Sequence, residues 1–317
     1  MGEKEASGAG KQKRIYLVVD WYLRLPVAKK KKSYDKDVER SKILKQHFGL
    51  KMATEIKPAM IESFQYEMLA TPCQKKKGTY KPATVNRMLA LMKRIYNLAM
   101  REELVDKNPC FKVSMLPENN KRDRVISHEE FQKLLSYLPA HAAQIVTVAY
   151  YTGMRAGEIF NLTWDKVNLK EGYIDLGAED TKTGYSRRIY LSTEIKDMFH
   201  NLSKVRQIAH NFVFTYRGRP VKSIRKSFRN ACKKAGIKEL WIHDLRHTFN
   251  TNMRKAGVDR SIIMKITGHK SMSMFERYNT VDGQDARLAM KQFENYVSTQ
   301  ITSKLLQEEN EEFKDQF

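Results

Sequence analysis

The sequence predicts a mainly α protein with a small antiparallel β-sheet in its second half, arranged as two domains. Three observations carry this expectation. Long segments repeat apolar residues every three or four positions, the period of a helix with one buried face. Short runs in the second half have the β-branched and aromatic character of strands, and two of them flank a glycine-bearing turn. Between the halves, residues 110–126 (CFKVSMLPENNKRDRVI) lose all periodicity and hold Pro117, Asn119 and Asn120, as a domain boundary would. A length of 317 residues accommodates two domains.

Residues 1–13 are polar and Lys-rich and read as a disordered tail. Residues 14–25 (RIYLVVDWYLRL) form a short apolar helix that ends before Pro26. After the basic run Lys29–Lys32, the residues Tyr34, Val38, Ser41, Leu44 and Phe48 recur at helical spacing up to Gly49. A further helix starts near Pro58, and residues 71–82 are a basic loop. The clearest helix of the first half runs from Ala83 to Leu104. Val85, Met88, Leu89, Met92, Ile95, Tyr96 and Ala99 mark one face, and Asn86, Lys93, Asn97 and Arg101 the other. That polar face is either solvated or in contact with phosphates. The expected division is 14–112 as a helical first domain, 113–121 as linker, 122–300 as second domain and 301–317 as tail.

In the second half, Ser127 and Glu130 form a capping box at the start of a helix. Residues 142–152 (AAQIVTVAYYT) are apolar nearly all round, so that helix should be buried. Strands are expected at Tyr173–Leu176, Arg188–Leu191 and Phe212–Thr215, the first two flanking TKTGYS. Helices resume around 221–235, 243–256, 259–267 and 284–298.

Composition narrows the function. Lys and Arg outnumber Asp and Glu by 58 to 36, a formal charge of +22 that favours a polyanionic partner, nucleic acid first. No run approaches the ~18 apolar residues of a membrane span, and the amino terminus lacks the apolar core of a secretory signal. Cys73, Cys110 and Cys232 are scattered, which excludes a disulfide scaffold and a cysteine-based zinc site and fits a reducing cytoplasm. Walker A, GxGxxG, HExxH and GxSxG motifs are all missing.

The remaining chemistry lies in cations, histidines and one tyrosine. Arg155 and Glu158, at i and i+3, share a helix face and can pair. Lys182 lies in the predicted turn, His243 and Arg246 share a face, His269 follows an apolar helix, and Tyr278 lies nine residues further on. Each alone has an ordinary structural explanation. Together they offer two guanidiniums, an ammonium, two imidazoles and a phenol. Arginine forks match phosphate oxygens and keep their charge. Such a set can hold a phosphodiester, offset charge growing at phosphorus and favour a phenolate nucleophile.

The segments YTGMRAGEIFNLTW, TKTGYSRRIYL, HDLRHTFNTNMRKAG and ITGHKSMSMFERYNTV, in this order and spacing, resemble the tyrosine recombinases of the phage-integrase family over roughly 14–298. Residues 83–109 are similar to the family's helical core-binding domain. The resemblance implies a core-binding domain and a catalytic domain closing on duplex DNA as a C-shaped clamp. It implies that Arg155 and Arg246 clamp the scissile phosphate, with Glu158 buttressing the site. Lys182 would act as general acid toward the leaving 5′-oxygen. His243 would bind the phosphate and assist proton transfer, and His269 would add a hydrogen bond to the phosphate. Tyr278 would attack, leaving a 3′-phosphotyrosyl link and a free 5′-hydroxyl, without metal, ATP or other cofactor.

Thr267 stands where the family more often has an apolar residue, which implies only a packing effect. Phosphate contacts are expected from Lys30, Lys31, Lys32, Lys75, Lys76, Lys77, Arg87, Lys93 and Arg101. The resemblance further implies a homo-tetramer on two DNA sites, a monomer or weak oligomer when free, room for accessory DNA-bending factors, and a bacterial or phage origin. The segment before residue 14 is expected to be too short for a separate arm-binding domain. Residues 299–317 are the candidate for exchange between subunits. The rivals are a type IB topoisomerase and a non-catalytic DNA-binding protein that kept the fold.

Overall fold

The computed structural model describes residues 13–73, 77–119, 122, 124–206, 210–272, 275, 287 and 289–299. The chain divides into two compact units between residues 120 and 121.

The first unit is helical: α1 (Ile15–Arg24), α2 (Pro26–Lys29), α3 (Tyr34–Phe48), α4 (Pro58–Ala70) and α5 (Pro82–Arg101). Pro26, Pro58 and Pro82 each stand at a helix start, where the missing N–H costs nothing. The core gathers Tyr22, Phe48, Phe64, Met88 and Tyr96. Its phenols reach polar partners, Tyr22 Oη donating to Asp37 Oδ2 at 2.8 Å and Tyr96 Oη to the Ala53 carbonyl at 2.9 Å.

The polar face expected on α5 is covered at its start, while Asn97 and Arg101 stay exposed. Asn86 is buried; its amide donates to Leu116 O and Glu118 Oε1 at 2.8 Å each, and its carbonyl accepts from Leu116 N at 2.8 Å. Asn97 accepts from Asn108 at 2.7 Å. Residues 108–118 thus fold back along this helix and satisfy side chains that the sequence pattern alone leaves to solvent.

The second unit opens with α6 (His128–Ser136), whose capping box forms as expected: Ser127 Oγ accepts from Glu130 N at 3.2 Å, and Glu130 accepts from Ser127 N at 3.2 Å. Next, α7 (Ala140–Thr152) is buried nearly all round and ends at Gly153 in the left-handed conformation, φ 62°. The short α8 (Ala156–Phe160) follows. Strands β1 (Val167–Asn168), β2 (Tyr173–Leu176) and β3 (Arg187–Tyr190) form an antiparallel sheet in sequence order, with Asp175 opposite Arg188. Along β3, Arg187 and Ile189 point inward and Arg188 and Tyr190 outward.

Then come α9 (Thr193–Lys204), the hairpin β4 (Thr215–Tyr216) with β5 (Arg219–Pro220), and α10 (Arg225–Ala235), α11 (Asp244–Lys255) and α12 (Arg260–Thr267). The core joins Phe131, Ile145, Val148, Ile174, Ile189, Phe199 and Leu245.

Two expectations are corrected. The sequence pattern marked no helix at 193–204, because α9 buries only Ile195 and Phe199 among charged neighbours. Of the strand expected at Phe212–Thr215, only Thr215 lies in a paired strand. Phe212 makes an isolated bridge to Thr163, and Val213 N donates to Leu162 O at 2.9 Å. Among the described residues, no helix is long and apolar enough to cross a membrane.

Candidate active site

The site is built around the carboxyl end of α12. A helix end leaves its last carbonyls without intrahelical partners and carries the negative pole of the helix dipole. Three arginines from three other places in the second unit fill that need on consecutive residues. Arg187 Nε donates to Ile266 O at 2.9 Å, Arg246 Nη2 to Thr267 O at 2.5 Å, and Arg155 Nη2 to Gly268 O at 3.4 Å. Gly268 makes the left-handed turn, φ 70°, that ends the helix.

Glu158 ties two of these arginines together. Its Oε1 accepts from Arg155 Nη1 at 3.0 Å and Arg187 Nη1 at 3.2 Å, and its Oε2 from Arg187 Nη2 at 2.6 Å and Arg155 N at 2.8 Å. The Arg187 and Glu158 side chains are only 5% and 3% exposed. Burial works to raise the Glu158 pKa. Arg187, then Arg155, outweigh it and hold the carboxyl below its ordinary value. Three guanidiniums against one carboxylate leave an excess of positive charge, which suits a phosphodiester gaining negative charge at its oxygens.

Arg246 is oriented from α11 by three acceptors. Its Nη1 donates to Gly153 O at 2.7 Å, and its Nη2 to Thr267 O and, at 3.1 Å, to His269 Nε2. Gly153 cannot carry a side chain here: a Cβ would lie 2.5 Å from Phe249 Cδ1.

His269 is held from its other side as well, Nδ1 lying 2.8 Å from Thr267 Oγ1. Burial, then Arg246 and Arg155, push its pKa down to about 3. His243 caps α11. Enclosure of its ring, then Arg246, lowers its pKa, and Lys182 is among the charges acting on it. The His247 ring lies 5.5 Å from that of His243, and burial takes its pKa to about 4. The start of α11 is pinned by Asp244, which accepts from Arg122 Nε at 3.0 Å, Arg122 Nη2 at 2.8 Å and Trp241 N at 2.8 Å.

Of the predicted site residues, Arg155, Glu158, Arg246 and His269 therefore share one hydrogen-bonded cluster. His243 stands beside it, and Lys182 is exposed on the loop between β2 and β3. Tyr278 lies outside the described residues, as do Lys75, Lys76, residues 1–12 and residues 300–317. Arg187 was missed by sequence reasoning, although an inward Ile189 two residues along a strand implies an inward Arg187. The expectation that Thr267 only packs is corrected: it is fully buried, and its hydroxyl bonds to the site histidine.

The candidate phosphate contacts of the first unit divide into two groups. Lys30, Lys32, Lys77 and Arg101 are exposed. Arg87 is exposed too, lying 3.5 Å from Glu118, whereas Lys31 pairs with buried Asp37 and Lys93 sits 4.7 Å above the Phe111 ring.

Comparison with known proteins agrees with this architecture. The sequence profile of the Phage integrase family matches residues 124–285, and that of the Phage integrase SAM-like domain matches residues 22–113. The shufflon-specific DNA recombinase of Escherichia coli is 29% identical over 269 residues, covering 82% of this chain and 67% of the relative. The integrase of Salmonella phage P22 is 28% identical over 284 residues, covering 78% of this chain and 72% of the relative. In three dimensions, the Tn1549 transposon integrase, solved in complex with circular intermediate DNA, superposes with a TM-score of 0.70 at 20% identity. That match covers 87% of this chain and 99% of the other.

Proposed function

The chain belongs to the phage integrase family and is a tyrosine-type site-specific recombinase; from that premise we propose that it cuts and reseals duplex DNA through a covalent 3′-phosphotyrosyl intermediate, without metal or ATP. The observation that carries this reading is the convergence of Arg155, Arg187, Arg246 and His269 at the end of α12, with His243 beside them. Arg155 and Arg246 are the phosphate clamp, and Glu158 with Arg187 is the buried frame that holds Arg155.

In the forward step the Tyr278 phenolate oxygen attacks phosphorus, and the bond to the 5′-oxygen breaks. His243, neutral at pH 7 because its pKa is lowered, accepts the phenol proton. Lys182 donates a proton to the leaving 5′-oxygen. In the reverse step a 5′-hydroxyl from the partner strand attacks the phosphotyrosine and releases Tyr278. One phosphodiester is exchanged for another at each pass, so no external energy source enters.

The partner is double-stranded DNA, gripped through phosphates by exposed cations such as Lys30, Lys32, Lys77 and Arg101. The working assembly is a homo-tetramer on two sites. The helix at 289–299 supports this, because it exposes Met290, Phe293, Tyr296 and Val297 on its surface. Exchange of the carboxyl-terminal segment between subunits would cover that stripe. Deleting residues 299–317 should spare binding to one site and impair synapsis; unchanged recombination would remove the exchange.

The test of function uses two differently labelled duplexes that carry a site selected for binding from a random pool. Recombinant duplexes joining the two labels are expected. Relaxation of supercoils with every strand rejoined to its original partner would contradict the reading and favour a topoisomerase.

A further inference from the structure

Asp244, the first residue of α11, stands next to His243 and is only 1% exposed. A carboxylate taken that far out of water needs pairing. One guanidinium and one amide supply it. Arg122 Nε donates to Oδ1 at 3.0 Å, Arg122 Nη2 to Oδ2 at 2.8 Å, and Trp241 N to Oδ2 at 2.8 Å. The two parallel bonds are a fork that arginine forms and lysine does not.

The same guanidinium reaches along the loop that leads into α11. Its Nη2 also donates to the Glu239 carbonyl at 2.7 Å, and its Cζ lies 5.1 Å from the Trp241 ring centroid. Glu239 has a left-handed backbone, φ 52°, which a non-glycine residue keeps only when its surroundings fix it. The loop closes on itself through Asp244 N, which donates to Trp241 O at 2.9 Å. Further along the segment that carries Arg122, Ile126 N donates to Thr248 Oγ1 at 3.2 Å and ties it to α11 again. Arg122 therefore holds residues 239, 241 and 244 at once, and His243 lies inside that span.

From this geometry we infer that Arg122 is a positioning residue for His243: by fixing the 239–244 loop it sets where the imidazole that takes the Tyr278 proton stands. The inference rests on the proton-acceptor role given to His243 above.

Charge acts alongside geometry. His243 faces Asp244, Arg246 and His247 on α11, Arg155 before α8, Lys182 between β2 and β3, and His269 after α12. Asp244 is the one carboxylate of this set and works to raise the imidazole pKa, against burial and the cations. Arg122 pairs with Asp244 and offsets that pull. Without Arg122 the carboxylate acts at fuller strength, and the ring keeps a proton to higher pH.

The test is a cycle of four full-length proteins: the parent, Arg122→Gln, His243→Gln and the double variant. Adduct formation on a nicked suicide duplex is timed at saturating protein, and DNA affinity is measured separately. A positioned proton acceptor contributes ~10²- to 10⁴-fold, which sets the loss in His243→Gln. Arg122→Gln should lose on the order of 10-fold of that at unchanged affinity, with the acid limb of its rate profile moved to higher pH. In the His243→Gln background, losing Arg122 should cost nothing further, because the two act as a unit. Arg122→Lys keeps a charge over Asp244 but loses the fork, so it should fold and still react more slowly than the parent.

Full additivity of the two losses overturns the inference, as does a folded Arg122→Lys with the parental rate. So does weaker binding with a salt slope lowered by ~1 and a normal rate at saturation, the mark of a phosphate contact. Nitrogen NMR of histidine-labelled protein, with His243 assigned by its loss in His243→Gln, follows the ring titration without any reaction. A parent that forms no adduct, or a His243→Gln protein with the parental rate, would count against the recombinase chemistry or the proton-acceptor role. In that event a His243 titration raised in Arg122→Gln would still support the positioning, and an unmoved one would overturn it.

Discussion

Arg187 and Glu158 are both buried; removing Glu158 strands the Arg187 charge, and removing Arg187 leaves the Glu158 carboxylate paired with Arg155 alone among the described residues. Deleting one partner of a buried pair typically costs ~3–5 kcal/mol. Arg187→Ala should therefore destabilise the second unit by up to about that amount, Arg155 keeping part of the Glu158 charge paired, while sparing the first unit. Denaturant unfolding followed by probes in each unit would check this; a loss under ~1 kcal/mol would deny the frame its structural role.

The histidines set an acid limit. His269 and His247 have folded-state pKa values near 3 and 4, below an ordinary value of 6.5. The unfolded chain therefore binds protons more readily than the folded one between those values and 6.5, and stability falls as pH drops through that window. Each neutral histidine contributes up to ~1.4 kcal/mol per pH unit there. Glu158 adds a loss in the same direction at lower pH, because its folded pKa is depressed. Melting temperature measured from pH 7 to pH 4 should decline, and a flat or rising profile would contradict the buried, neutral histidines.

At the scale of elements, the site depends on how helices end. Gly153 ends α7 and Gly268 ends α12, both left-handed, and their carbonyls meet Arg246 and Arg155. Forcing a non-glycine residue into this conformation costs ~1–3 kcal/mol. Gly153→Ala adds a 2.5 Å approach to Phe249, so it should destabilise the unit and slow adduct formation together by displacing the Arg246 acceptor. Normal stability with normal activity would deny that coupling.

Much of this was legible in the sequence. The 3.6-residue period found α5, the capping box found the start of α6, and the ordered motifs found Arg155, Glu158, Arg246 and His269. What escaped depends on tertiary partners. Amphipathic α9 buries two residues, too few to stand out from its charges. Arg187 looks like half of an exposed Arg–Arg pair until the strand's alternation sends it inward. Thr267 reads as a small packing residue until His269 is placed beside it. The polar edge of α5 looks solvent-facing until residues 108–118 return along it.

For the whole molecule, an excess of +22 makes DNA affinity a strong function of salt. Each lysine that neutralises a phosphate contributes ~0.9 to the slope of log affinity against log salt. Replacing exposed Lys30 and Lys32 by Gln should lower that slope by ~2. Replacing Lys31, which pairs with buried Asp37, should instead lower the melting temperature of the first unit. Equal effects of all three on the slope would contradict the assignment.

Strand exchange by this chain rests on one covalent bond. The direct measurement is to incubate the full chain, in EDTA, with a nicked suicide duplex carrying a selected site, and to locate the DNA-linked residue by peptide mass spectrometry. A 3′-phosphate ester on Tyr278, absent from Tyr278→Phe, is predicted. An adduct on another residue, or one that persists in Tyr278→Phe, would contradict it.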